Sequence, residues 1–312
     1  MEFEHESVLL DEVIEGLSPR SGKLYCDGTA GGGGHLARII STGARAVGID
    51  RDPVALEACR TRLGPDVELV HARYSEMPAV LGERKVDGIL LDLGVSSPQF
   101  DRADRGFSFS KPGPLDMRMD PTRGQTAREL IDELTFEELA DVIFELGEER
   151  HAKKIARLIK EAPPATTTEL AAICARAVPI IEQRKSKIHP ATRTFQALRI
   201  AVNQELAELE QFLAAFVDLL APGGRCAIIS FHSLEDRLVK NAFRDLTWTS
   251  SLPEKLARDA GERVEPVVEL LTKKPIIAGD AEVERNPRAR SAKLRVCERT
   301  TAPNLPALST PR

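Results

Sequence analysis

The sequence has no apolar run approaching the roughly 18 residues that a membrane-spanning helix needs, so no helical membrane span is expected. No secretory leader is expected either. Met1-Glu2-Phe3-Glu4-His5-Glu6 is acidic where a signal peptide would be basic and then apolar, and the expectation is a cytoplasmic protein. Cysteine is sparse. Cys26, Cys59, Cys174, Cys226 and Cys297 form no CxxC pair, which excludes the usual zinc and redox motifs and suits thiols that only pack in a reducing compartment. The histidines are dispersed without an HExxH pattern, so no protein-held metal is expected. The dinucleotide fingerprint G-x-G-x-x-G is also absent from the glycine-rich turn Gly28 to Gly34. Gly31 and Gly33 would need a glycine where Leu36 stands.

Net positive charge is lacking overall, at −5, but the basic residues are not evenly spread. Arg184, Lys185, Lys187, Arg193 and Arg199 fall in one stretch that contains no acid. Arg285, Arg288, Arg290, Lys293, Arg295 and Arg299 share another with Glu298 alone. A single basic run usually marks a solvated face. Two such runs on an acidic chain point to a phosphate-rich ligand.

The residues that are present alternate in a telling way. Lys23–Asp27 reads as a buried strand running into the glycine-rich turn, with a helix from about His35 to before Gly43. Ala46–Asp50, Val67–His71 and Val86–Asp92 read as further strands, with a helix over about Pro53–Leu63. Strands alternating with helices imply a parallel sheet covered on both faces. The alternation then stops. Phe100 to Gly124 reads as a long ordered loop, and Thr126 to Ala162 and Thr166 to Val178 read as helical. One long helix is expected from about Pro190 to Leu220, because Phe195, Leu198, Val202, Leu206, Leu209, Leu213 and Phe216 recur every three or four residues. The αβ pattern resumes with a strand at Arg225–Phe231 and a helix over Glu235–Asp245, and two late strands are expected near Glu269–Thr272 and Ala292–Cys297. The expected organisation is an α/β domain over 1–104 and 216–300, an inserted helical domain for substrate recognition over 105–215, and a disordered tail over 301–312.

A glycine-rich turn between strand and helix lets backbone approach a ligand closely. Asp50 closes the next strand, 23 residues beyond Asp27, where an acid can hydrogen-bond a ribose. An adenosine-type cofactor follows. Without the dinucleotide fingerprint, S-adenosylmethionine fits better than NAD: it has no pyrophosphate, and its ammonium and carboxylate suit Asp27 and backbone near Gly31. Asp27 could instead only cap the turn. Asp92 ends the fourth strand, at the ligand-binding edge, and leads into Leu93-Gly94-Val95-Ser96-Ser97-Pro98-Gln99-Phe100; it too could serve only as a cap. An acceptor there would favour a pyramidal exocyclic amine aimed at a methyl donor, although the Pro-Pro-aromatic that often follows such an acid is missing. Asp92 is expected to orient either the amine or the cofactor. Thr192, Gln196, Arg199 and Asn203 form one helical stripe, expected to face substrate, with a solvated polar face as the alternative. His232, just past the fifth strand, either contacts substrate or caps the next helix.

Long motifs support a resemblance. They include His5–Leu10, Asp27–His35, Gly48–Pro53, Asp87–Gln99, Arg105–Phe109, Pro114–Asp120, Gly147–Arg150, His189–Gln196, Ser230–Arg237 and Asn286–Ser291. The chain closely resembles the bacterial small-subunit ribosomal RNA methyltransferase H family, also called MraW. The resemblance implies a Rossmann-like class I S-adenosylmethionine-dependent methyltransferase fold with an inserted helical domain, and N4-methylation of one cytidine in the decoding region of 16S rRNA. It implies cofactor contacts from Gly33, Gly34, His35, Asp50, Tyr74, Asp92 and Gln99, to which the residue-level reading adds Asp27. Relatives often carry Phe at Tyr74, and an aromatic face against adenine survives that change. The expected RNA-contacting residues are Arg193, Gln196, Arg199, Asn203, His232, Arg288 and Arg290. The expected partner is 16S rRNA or the small ribosomal subunit, with no membrane and with homodimerisation left open.

Overall fold

A computed structural model of the chain describes residues 7–247 and 266–302. His5, Glu6 and most of the tail expected to be disordered lie outside the described residues. The chain divides into two compact units, one made of the residues up to Gly94 and from Ala207 onward, the other of Val95–Leu206.

The first unit is built on a seven-stranded sheet: β1 (Leu24–Asp27), β2 (Arg45–Asp50), β3 (Glu68–His71), β4 (Val86–Asp92), β5 (Leu220–Ser230), β6 (Val268–Leu270) and β7 (Lys293–Arg299), in the order β3-β2-β1-β4-β5-β7-β6. The first five strands run parallel, and β7 runs antiparallel to both β5 and β6. Side chains alternate between two cores, as the period of a strand demands. Ile89, Leu91, Cys226 and Ile228 enter one core, and Leu90, Ala227 and Ile229 enter the other. Burial on both faces explains why β4 reads as a continuous apolar run rather than an alternating one. α1 (Leu10–Leu17) was not anticipated; its Val13 and Leu17, spaced by four, join the second of these cores. α2 (Gly34–Ile40), α3 (Pro53–Leu63) and α4 (Met77–Leu81) follow β1, β2 and β3. Asp52 caps α3, its carboxylate accepting the Val54 N–H, with Pro53 at the first helical position where its missing N–H costs nothing.

The second unit is helical: α5 (Ser97–Asp101), α6 (Ala127–Glu133), α7 (Phe136–Gly147), α8 (Ala152–Glu161), α9 (Thr167–Ala177), α10 (Ile180–Lys185) and α11 (Thr192–Asn203). Thr126 with Glu129 and Thr135 with Glu138 form capping boxes that start α6 and α7. Its own apolar core gathers residues from α6, α7, α8, α9 and α11.

The chain returns to the first unit through α12 (Glu205–Leu219), followed by α13 (Ser233–Asp245) and α14 (Asp280–Arg285). The single long helix expected from Pro190 to Leu220 is therefore two helices. Gln204 adopts a left-handed conformation, φ 54°, and ends α11. The apolar repeat crosses this break uninterrupted because each half serves a different core. Phe195 and Leu198 belong to the second unit's core, Leu209 and Phe216 to the first's. The same division sets the unit boundaries at 94/95 and 206/207 rather than at 105 and 215: Val95 packs on the second unit's core, and α12 past Ala207 packs on the first's.

Candidate active site at the carboxyl edge of the sheet

The chain leaves β1 for β2 and β3 on one side, then returns to place β4 on the other. Open α/β sheets bind ligands beyond the carboxyl ends of the strands at such a reversal. Three acids end the three strands there: Asp50 on β2, Asp27 on β1 and Asp92 on β4.

Asp27 is 1% exposed, and its Oδ1 accepts the Thr29 N–H at 2.9 Å and the Thr29 hydroxyl at 3.2 Å. Burial pushes its carboxyl up to about 7 against those hydrogen bonds, and the charge of Asp50 adds to the rise. Asp50 accepts the Gly31 N–H through Oδ2 and the Asp52 N–H through Oδ1, both at 2.8 Å. Burial pushes it up to about 6. The Gly31 N–H, expected to meet the cofactor, is thus engaged by Asp50. Asp92 is raised well above the usual carboxylate range by burial, then by Asp27 and Glu235. Its Oδ1 is buried and has no hydrogen-bond partner, and its Oδ2 lies 3.9 Å from Nδ1 of His35. His35 is buried at the start of α2 and reaches the Val8 carbonyl through Nε2 at 3.0 Å.

The glycines of the turn owe much of their identity to the protein's own packing. Gly33 has φ 78°, and a Cβ on it would sit 2.8 Å from Cys59 Sγ. A Cβ on Gly34 would collide with Ser7 Oγ at 2.0 Å. Tyr74 is buried beside the turn, edge-on to Phe212 at 5.9 Å between ring centres. Gln99 is 4% exposed in the second unit, where its Oε1 accepts the Ser96 N–H.

The family model of the MraW methylases matches residues 2–300. The chain belongs to the MraW methylase family. A ribosomal RNA small subunit methyltransferase H from Myxococcus xanthus (strain DK1622) is 50% identical over 308 residues, covering 96% of this chain and 98% of that one. Another of the same name from Sorangium cellulosum (strain So ce56) is 52% identical over 307 residues, covering 95% and 91%. Solved structures with a similar outline include a SAM-dependent O-methyltransferase from Thermotoga maritima, at TM-score 0.40 and 9% identity, covering 95% of this chain and 66% of that one.

A methylase of this family takes its methyl group from S-adenosylmethionine, and the sheet edge fits that cofactor. Three clustered acids, each driven upward by burial, are stabilised by a cation. S-adenosylmethionine brings a sulfonium and an ammonium, whereas a dinucleotide would bring a pyrophosphate. The orphaned Oδ1 of Asp92 leaves an acceptor for an N–H of cofactor or substrate.

The residues expected to contact RNA take up different surroundings in this methylase. Three of the four residues of the stripe on α11 bond within their own unit. Asn203 is 5% exposed, accepts the Met119 N–H and donates to the carbonyls of Met117 and Arg199. Arg199 forms a two-pronged pair with Glu205 at 2.9 Å, and Gln196 donates to the Leu146 carbonyl. Buried Asn203 is fully engaged in this way, whereas Thr192, Gln196 and Arg199 stay half-buried on the same stripe. Arg193 remains exposed, donating to the Glu148 carbonyl at the rim of a cavity of about 280 Å³ that Arg150, His151, Glu182 and His189 also line. His232 is the N-cap of α13: its Nδ1 accepts the Glu235 N–H, while Nε2 stands 3.1 Å from Glu235 Oε1. Arg288 is half-buried and Arg290 exposed in the turn before β7.

Two groups beside the site escaped the sequence reading. Thr29 hydrogen-bonds both Asp27 and the backbone of Asp92. Arg51, next to Asp50, pairs with Glu208 of α12, which is 3% exposed. Arg51 stands directly after the ribose-type acid and could have been singled out; Glu208 is 157 residues away in sequence and carried no signal.

Proposed function

We propose that this methylase transfers the methyl group of S-adenosylmethionine to the N4 amine of one cytidine in the decoding region of 16S rRNA. The observation that carries the reading is the buried, unpartnered Oδ1 of Asp92 at the reversal of the sheet. The names of the curated relatives supply the ribosomal small-subunit substrate, and the family resemblance supplies the cytosine N4 position.

When bound, S-adenosylmethionine supplies a methyl on a sulfonium that leaves as a neutral thioether. Asp50 holds the ribose hydroxyls, Asp27 the amino-acid ammonium, and Tyr74 the adenine, with Gly33, Gly34 and His35 closing around the rest, and the family resemblance adds Gln99 as a cofactor contact. The cytosine amine is a poor nucleophile because its lone pair is delocalised into the ring. Asp92 Oδ1 accepts an N4 hydrogen bond, favours the pyramidal amine and takes the proton shed on methylation. Alignment and fixed charge supply most of the acceleration. The target base leaves its stack to reach the site. The second unit recognises the substrate, with Arg193 and the exposed Arg184, Lys185 and Lys187 holding flanking phosphates and Arg290 adding a further contact. A ribosomal substrate supports a cytoplasmic enzyme.

The test is methyl transfer from labelled S-adenosylmethionine to unmodified small ribosomal subunits, with naked 16S rRNA in parallel and product nucleosides identified by mass spectrometry. N4-methylcytidine at one site is the expected product. Label on another base or atom, or none with cofactor still bound, overturns the substrate assignment.

A further inference from the structure

We propose that the Thr29 hydroxyl is a positioning group that holds the backbone of Asp92 and the carboxylate of Asp27 in one fixed relation for cofactor binding; this rests on the cofactor site proposed above. The geometry starts from the sheet. β1 pairs with β4 up to Asp27 opposite Leu90, and the Gly28 N–H still reaches the Leu90 carbonyl at 2.9 Å. The next N–H of β4 that faces β1 is that of Asp92. By then β1 has ended and the turn has moved away, for the Ala30 N–H bonds the Ile49 carbonyl of β2. The Thr29 hydroxyl fills the missing rung. Its oxygen accepts the Asp92 N–H at 2.6 Å, and its hydrogen goes to Asp27 Oδ1 at 3.2 Å. A hydroxyl can donate and accept at once, and here both capacities are used between two acids on adjacent strands. Asp92 therefore starts from a backbone fixed to the turn that carries Asp27, and its unpartnered Oδ1 projects from a rigid base.

The same bond bears on protonation. Thr29 lowers the Asp27 carboxyl through its N–H and its hydroxyl, against burial and the charge of Asp50. The titratable groups around the pair are Asp50 of β2, Cys26 of β1, Cys59 of α3, and for Asp92 also His35 of α2 and Glu235 of α13. Removing the hydroxyl leaves the Asp27 carboxylate one donor poorer. Its pKa rises, and the pH at which cofactor binding is lost on acidification rises with it.

Titration calorimetry of S-adenosylmethionine against the full chain, from about pH 5 to about pH 8, tests this in wild type, Thr29→Ser, Thr29→Val and Thr29→Ala. The serine variant keeps the hydroxyl and should bind within about threefold of wild type with the same pH profile. The valine and alanine variants should bind about tenfold or more weakly, with the acid limb moved to higher pH. Thermal melting checks that each chain is folded, and alanine covers the case in which valine is not. Val and Ala variants that bind like wild type with an unshifted limb overturn the role of Thr29. A serine variant as weak as valine also overturns it, since the methyl group and not the hydroxyl would then matter. A wild-type chain that binds no S-adenosylmethionine at any pH overturns the cofactor site itself and this role with it.

Discussion

Burial and mutual repulsion make the ionised forms of Asp92, Asp27 and Asp50 costly, and a bound cation lowers that cost. Asp27 sits at about 7 and Asp50 at about 6 in the folded chain, both raised from 3.8 chiefly by burial. The sign for stability follows. A carboxyl raised on folding contributes stability that is complete below its unfolded value and lost as pH rises through its folded value. The cofactor-free chain should therefore lose melting temperature between about pH 4 and pH 7 from these two groups. The acids lowered in the fold, such as Asp116 and Asp236, titrate below this window and do not mask it. S-adenosylmethionine prefers the ionised acids, so its affinity should rise over the same range. Differential scanning fluorimetry with and without cofactor shows both trends, and an affinity flat or falling with pH would contradict the carboxylate cradle. For Asp92 the expectation is kinetic. Asp92→Asn keeps the shape but cannot take a proton, so kcat measured at saturating cofactor should fall about 100-fold to 1,000-fold. Near-normal turnover by Asp92→Asn and Asp92→Ala would remove it from the chemistry.

At the scale of elements, polar side chains buried in the helical unit hold irregular backbone that has no ladder of its own. Asn203, the last residue of α11, spends its amide on Met117 and Met119 and ties the loop carrying the left-handed Met117 (φ 60°) to the helix. Arg105, 8% exposed, donates to the carbonyls of Arg118 and Met119 in the same loop. Buried backbone groups left without partners are costly. Asn203→Leu, close in volume, should lower unfolding stability by about 2–4 kcal/mol in chemical denaturation, more than an exposed substitution such as Gln204→Ala. An equal, small effect for both would mean that the amide holds nothing. Arg199, locked to Glu205, belongs to the same class, so neutralising it would test packing rather than RNA affinity.

For the whole molecule, the exposed basic residues are the ones to neutralise. Arg184, Lys185, Lys187 and Arg193 are all exposed. Changing the four to Gln should weaken RNA binding and lower the slope of log affinity against log salt by about 0.7 for each phosphate that is no longer neutralised. Affinity for S-adenosylmethionine should stay unchanged, and equal loss of both would indicate misfolding.

The αβ alternation, the turn after β1 and the acids Asp27, Asp50 and Asp92 were legible in the sequence, because strand periodicity, glycine clustering and strand-end position are local properties. The family followed from motifs spread over most of the chain. The break at Gln204 was not legible, since the apolar repeat runs through it and only the presence of two cores assigns its halves. Periodicity placed the α11 stripe on one side of its helix, but it could not show that Asn203 ties down the Met117–Met119 backbone, because it says which side chains share a side and not what they bond to. Thr29, Arg51 and Glu208 depend on partners brought together from distant strands and helices, and His232 on the direction in which β5 hands over to α13. Sequence by itself determined the secondary-structure alphabet, the strand-end acids and the family. The tertiary structure alone decided which polar side chains remain for ligands and which are consumed by the fold, because hydrogen bonds to buried backbone must be satisfied wherever the chain folds past them.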